Sequence, residues 1–223
     1  MADLRLLSGA DAAYFAIKKA SEPLHIQWDP ATDEVEVVNY SAGTHSHLTA
    51  RVQILNMDAS VAWEKETTVD SREDTTEKCI KLEFPETLSE VYFIKLWLLE
   101  DGKILSDNFY HASRKGINYQ ALKQLPEVTL DCQAKMAQDK EGNWTATVTL
   151  TNPTSTPALM TRINVVGDKD GDQFLPILYE DNYFALLPGE QKEVSVRWKD
   201  VDTRGNSPVI RITGYNVKEL SRQ

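Results

Sequence analysis

Between Leu24 and Val217 the hydrophobic positions of this chain recur every second residue, the period of a half-buried strand. "LHIQW" sets Leu24, Ile26 and Trp28 on one side, "EVEVVNY" sets Val35 and Val37, and "HLTARVQIL" sets Leu48, Ala50, Val52 and Ile54. "KCIKLEF" adds Ile80, Leu82 and Phe84. "VYFIKLWLL" is apolar on both sides, which suits the middle of a sheet. With further segments near 60–68 and 104–112, and turns such as "DPATD", "YSAGT" and "EDGK", this stretch holds about seven strands in about ninety residues.

The pattern then breaks. "SRKGINYQALKQLPE" mixes charge, Gly116, a short helical turn around Tyr119 to Leu125, and Pro126. Alternation resumes in "VTLDCQAKM" and in "NWTATVTLTNP", where Trp144, Ala146, Val148 and Leu150 face one way and threonines the other. "ALMTRINVV", "KEVSVRW" and "VIRITGYNV" complete a second set of about seven strands, with "KEGN" and "GDKDGD" as polar hairpin turns. No strand–helix–strand alternation appears. Short strands at this spacing predict an all-β chain of two tandem immunoglobulin-like β-sandwiches.

The beginning also departs from period two. "ADAAYFAIKKASEP" predicts a short helix, with Asp11 as its cap, Lys18 and Lys19 near its C-terminal end, and Pro23 as its stop. About ten residues are marginal alone, and this segment is apolar around much of its circumference. It therefore needs a partner surface. The expected organisation is a helical segment 1–22, sandwiches at 23–115 and 127–223, and a linker at 116–126.

Composition adds exclusions. The net charge is −10, split as −8 over residues 1–115 and −2 over 116–223, with basic residues interspersed among acids. Nucleic-acid binding needs clustered Lys and Arg, so that class is not expected. No apolar run approaches the roughly 18–20 residues of a membrane span, and "MADLRLLSGADAAYF" does not read as a signal peptide. The two cysteines, Cys79 and Cys132, fall one in each half, so neither sandwich can hold an internal disulfide.

Two stretches echo one another. "SDNFYHAS" carries Asp107, Asn108, Phe109 and Tyr110, and "EDNYFALLPGE" carries Asp181, Asn182, Tyr183 and Phe184. The first lies at the last strand of its sandwich and the second lies mid-domain, so they are not a repeat. Both read as strand entries, the first beginning or completing its strand, with Asp and Asn suited to the turn and the aromatics to the strand. Among the tryptophans, Trp28, Trp144 and Trp198 are in phase with core residues. Trp63 and Trp97 remain as candidate sugar-stacking platforms. His45 and His47 in "GTHSH" and the aspartates of "DKDGDQ" lack a full metal-ligand set, so no metal and no cofactor is expected. Asn39 and Asn143 begin glycosylation sequons.

"AAYFAIKKASEPLHIQWDP", "NFYHAS…YQALKQLP" and "DNYFALLPGEQKEV" together resemble the C-terminal part of a family 2 glycoside hydrolase, on the exo-β-D-glucosaminidase and β-mannosidase branch. One departure is His111, where relatives often carry Trp. The resemblance implies non-catalytic domains that follow a catalytic (β/α)8 barrel in the parent chain, a retaining β-glycosidase. It makes that barrel the expected partner, with Tyr14, Phe15 and Ile17 as candidate contacts, and implies a periplasmic or secreted setting. The family's acid/base follows an Asn, and no Asn-Glu dipeptide occurs here. No catalytic residue is therefore expected in this chain. The alternative function is a carbohydrate-binding module that holds a polysaccharide or other glycan on exposed aromatics.

Overall fold

A computed structural model of the chain describes residues 12–40, 43–169 and 171–223. Asp11 and Asp170, the expected helix cap and one of the turn aspartates, lie outside the described residues. The helix α1 runs Ala12–Ala20, and seven strands follow: β1 Leu24–Asp29, β2 Glu34–Asn39, β3 His45–Asn56, β4 Val61–Ser71, β5 Thr75–Lys81, β6 Val91–Glu100 and β7 Lys103–Ser113. They form two antiparallel sheets, ordered β1-β2-β5 and β4-β3-β6-β7. The strand that is apolar on both sides, β6, is interior to its sheet, as its pattern requires.

The alternation marked the inward positions, except that Phe84 is exposed while Ile80 and Leu82 are buried. Ile26, Val35 and Val37 from one sheet meet Ala50, Val52, Ile54, Ile94, Leu96 and Leu98 from the other. Each fully buried Val, Ile or Leu contributes roughly 1.5–3 kcal/mol. Asp101 and Gly102 both have positive φ, 49° and 77°, which closes the β6–β7 hairpin in the turn geometry that "DG" favours.

After a 3-10 turn at Gln120–Gln124 the second sandwich has eight strands. These are β8 Asp131–Gln138, β9 Asn143–Thr151, β10 Ala158–Gly167, β11 Leu178–Tyr179, β12 Phe184–Leu186, β13 Gln191–Lys199, β14 Pro208–Thr213 and β15 Leu220–Arg222. Their sheets are ordered β12-β10-β14-β15 and β11-β13-β9-β8. Three of the strands are only two or three residues long, too short for the alternation to reveal. The expected hairpin turn at "GDKDGD" is present: Val166 and Gln173 form an antiparallel bridge and the Gly167 N–H donates to the Asp172 carbonyl at 2.9 Å, after which Phe174 enters the core. Gly214 allows a close approach: a Cβ there would lie 2.6 Å from Val217 Cγ2 and 2.9 Å from the carbonyl oxygen of Leu159.

The compact units do not follow the expected boundaries. One joins Pro126–Gln223 with the segment that ends at Phe15, and the other is Ala16–Leu125. The division falls inside α1, because Phe15 belongs to the core of the second sandwich, with Val128, Ile163, Val194 and Ile210.

Candidate functional site

The sequence-level candidates separate once placed. Trp97 lies on the side of β6 opposite the core residues Leu96 and Leu98, and its neighbours across the sheet are Arg51 and Asp107. The Arg51 guanidinium and the Lys95 ammonium sit 5.4 and 5.2 Å from its ring centroid. Its π-face is therefore already engaged by cations, and a sugar would have to displace them. Trp63 is the cross-strand partner of Ile54 and packs against the first core, partly buried. Neither ring is a bare platform. Trp198 is buried and stacks on Trp144, with centroids 5.9 Å apart and planes within 5° of parallel.

On α1 the three candidates for an external contact do not act together. Tyr14 is 53% and Ile17 67% exposed, while Phe15 is only 6% exposed and packs its ring 6.0 Å from that of Tyr183. Phe15 is thus a correction: its side chain is committed to a core and offers nothing outward. The exposed side of α1 instead carries Ala13, Ala16, Ile17 and Ala20, the spacing of one helical stripe.

The echoing stretches have structural work in common. Asn108 Nδ2 donates to the Ile26 carbonyl at 2.7 Å, and the backbone N–H of Trp28 donates to Tyr110 Oη at 3.4 Å. These bonds tie β7 to β1, which belongs to the facing sheet. Asp107 pairs with Lys19 at 2.7 Å. Because β7 runs Lys103–Ser113, this stretch lies in the later part of the strand and does not enter it. The second stretch does precede a strand. Asn182 Oδ1 accepts the N–H of Ile163 at 2.7 Å and its Nδ2 donates to the Ile163 carbonyl at 2.9 Å, so one side chain replaces a neighbouring strand.

Several chemical readings resolve here. His47 adopts φ 59° and the β3–β4 register shifts between His45 and Leu48, so the two imidazoles do not follow simple strand alternation. Among the described residues no group of three or more His, Cys, Asp or Glu is placed to hold a metal. Asp168 accepts the Ser207 N–H at 2.9 Å, as a turn aspartate does. Asn39 is fully buried and bonded to the Gly43 carbonyl, which closes that sequon to modification.

Four carboxyls are shifted by local structural hydrogen bonds. Hydrogen bonds from neighbours hold the carboxyls of Asp29, Glu34, Asp58 and Asp139 below their ordinary range, led by Thr32, Lys78, Ser60 and Asn143 respectively. A glycosidic general acid needs the opposite displacement. Burial pushes the Cys79 thiol up to about 11 and raises that of Cys132, so both stay protonated and unreactive. Burial also lowers the pKa of His111, whose ring meets Phe93 and Phe109 edge-on at 5.5 and 5.4 Å.

Comparison with known proteins agrees with this architecture. Residues 108–217 match the sequence family described as the exo-β-D-glucosaminidase Ig-fold domain. An exo-β-D-glucosaminidase from Streptomyces avermitilis is 32% identical over 93% of this chain. The crystal structure of the exo-chitosanase CsxA from Amycolatopsis orientalis superposes with a TM-score of 0.87 at 27% identity, covering 97% of this chain. Residues 108–217, which hold most of the second sandwich, belong to the exo-β-D-glucosaminidase Ig-fold family. The whole chain spans about a quarter of those proteins, 25% of the Streptomyces sequence and 28% of the Amycolatopsis chain. A β-D-mannosidase from Dictyoglomus thermophilum shares the fold, with a TM-score of 0.62 at 14% identity. The likeness to the Streptomyces and Amycolatopsis proteins covers 93% and 97% of this chain, more than either sandwich alone. The bonds of Asn108 and Asn182 are therefore best understood as scaffold chemistry.

Proposed function

We propose that this chain is a non-catalytic, ancillary part of a family 2 glycoside hydrolase that acts on β-glucosaminides or β-mannosides. Its two sandwiches support a catalytic (β/α)8 barrel in the parent polypeptide. The observation that carries this reading is the likeness to an exo-chitosanase over 97% of this chain but only 28% of that one. Retaining hydrolysis requires two carboxyls about 5–5.5 Å apart across the glycosidic bond, and a barrel to present them takes roughly 250 residues.

The exposed stripe of α1 gives the barrel a contact surface. Tyr14 and Ile17 supply apolar area and Ala13, Ala16 and Ala20 permit close approach. Burial of such area is worth roughly 25 cal/mol per Å². Ile17→Asp in the parent enzyme should lower its melting temperature, and an unchanged melt would remove α1 from that role. For the function itself, the purified chain is incubated with aryl β-glucosaminide and β-mannoside substrates. No turnover is expected; turnover abolished by substitution of a carboxylate in this chain would refute the ancillary role.

A further inference from the structure

The outer face of the β12-β10-β14-β15 sheet holds a cluster that no packing role accounts for. Arg162 and Asn164 alternate with the core residues Ile163 and Val165, so they lie on the face away from the core. Across the ladder Arg162 pairs with Thr213 and Asn164 with Arg211, which makes the two arginines diagonal neighbours. Diagonal positions sit roughly 7–8 Å apart, a gap that one group gripped by two long side chains can bridge.

Three polar atoms of this cluster are buried without a hydrogen-bond partner: Arg162 Nε, Asn164 Oδ1 and Arg211 Nε. Asn164 is only 8% exposed. Burying such groups without a hydrogen bond is costly. Arg162 takes part in none of the ion pairs found among the described residues. It is held instead with its guanidinium 5.5 Å from the centroid of the Tyr183 ring, and Phe15 packs against that ring in turn. Tyr183 adopts φ 59°, a backbone region costly for a bulky residue. Arg211 Nε lies 3.6 Å from Glu219 Oε1, beyond hydrogen-bonding distance. Gly171 lets the chain lie close against it, since a Cβ there would come within 3.0 Å of Arg211 Nη2.

We propose that this face binds a carboxylate, gripped by Arg162 and Arg211 over Asn164. A guanidinium fork matches the two oxygens of a carboxylate. The Tyr183 ring fixes one fork in advance and lowers the entropy lost on binding. Rotation of the Asn164 amide about its terminal bond presents Nδ2–H in place of Oδ1 and adds a third donor. The carboxylate comes either from a small acid or from an aspartate or glutamate side chain of a protein, and the test separates these sources.

The arginine Nε–Hε resonances of the chain are followed by NMR during titration with sodium acetate, with sodium chloride at equal ionic strength as control. A second titration uses glutamate blocked at both ends, so that only its side-chain carboxylate is free. Saturable shifts of Arg162 and Arg211 with either carboxylate, and none with chloride, are expected. Tighter binding of blocked glutamate assigns the site to protein side chains, and equal binding assigns it to small acids. Arg162→Gln should weaken binding about tenfold through loss of the charged fork, and Arg204→Gln should leave it unchanged. Arg162→Lys keeps the charge and removes the fork, so it decides the matter if the glutamine variant melts early. Absence of a saturable shift, or equal binding by Arg162→Lys and the wild type, overturns the proposal.

Discussion

Five of the twelve buried polar side chains among the described residues are asparagines. The amide offers a donor and an acceptor on one short stem, so a single residue can satisfy both backbone groups of a strand that lacks a neighbour. Asn182 does this for Ile163. Asn216 accepts from the Leu159 N–H and donates to the carbonyls of Pro126 and Pro157. Asn182→Ala strands two buried backbone groups and should destabilise the second sandwich by about 2–4 kcal/mol, read as a shift of its urea midpoint. His111 acts through charge. Its imidazole is neutral in the folded chain because burial holds its pKa below the ordinary 6.5. Above that pH both states are neutral and the residue contributes no pH dependence. As pH falls below it the unfolded chain takes up the proton first, so stability is lost down to the lowered folded pKa. His111→Phe should therefore gain stability relative to the wild type between pH 7 and 5 and show no such gain between pH 8 and 7, in parallel thermal melts.

At the scale of elements, α1 is the most consequential piece. Phe15 fills the second core, and Phe15→Ala should cost about 3–5 kcal/mol through lost contact and the cavity left behind. Calorimetry should show the transition of the second sandwich falling while that of the first holds. The long strands were legible in the sequence because Ala50, Val52 and Ile54, or Ala146, Val148 and Leu150, mark a buried face without ambiguity. The short strands β11 and β15 were not, since two or three residues cannot display a period, and β12 was signalled only by the Asp-Asn turn before it. Phe15 was misread for a physical reason. A helix with apolar residues on several sides does not state which one turns inward, and here the neighbouring Tyr14 and Ile17 were equally eligible. The candidates Trp63 and Trp97 likewise depended on neighbours across the sheet, Ile54 and Arg51, that sequence separation hides. No pattern pointed to Arg162 and Arg211, which lie far apart in the chain and meet only through the β10–β14 register.

For the whole molecule, charge sets the non-specific behaviour to expect beside a polysaccharide. With a net charge of −10 it attracts chitosan, a polymer of amines, without any specific site. Retardation in a chitosan gel should vanish at about 0.5 M salt, where screening is shorter than about 8 Å, and Trp97→Ala should not alter it. Neutral mannan should give no retardation; salt-resistant retention lost on Trp97→Ala would restore the carbohydrate-binding reading. The placement of Phe15 also bears on how this polypeptide can be divided. Residues 16–125 are a parenthesis within a unit whose two parts lie on either side of them in the chain. No single cut yields both sandwiches intact: one made at the linker leaves the C-terminal piece with a hole the size of a benzyl group. Gene rearrangements that transplant the last hundred codons alone would carry that defect with them, whereas those that move the whole stretch would not.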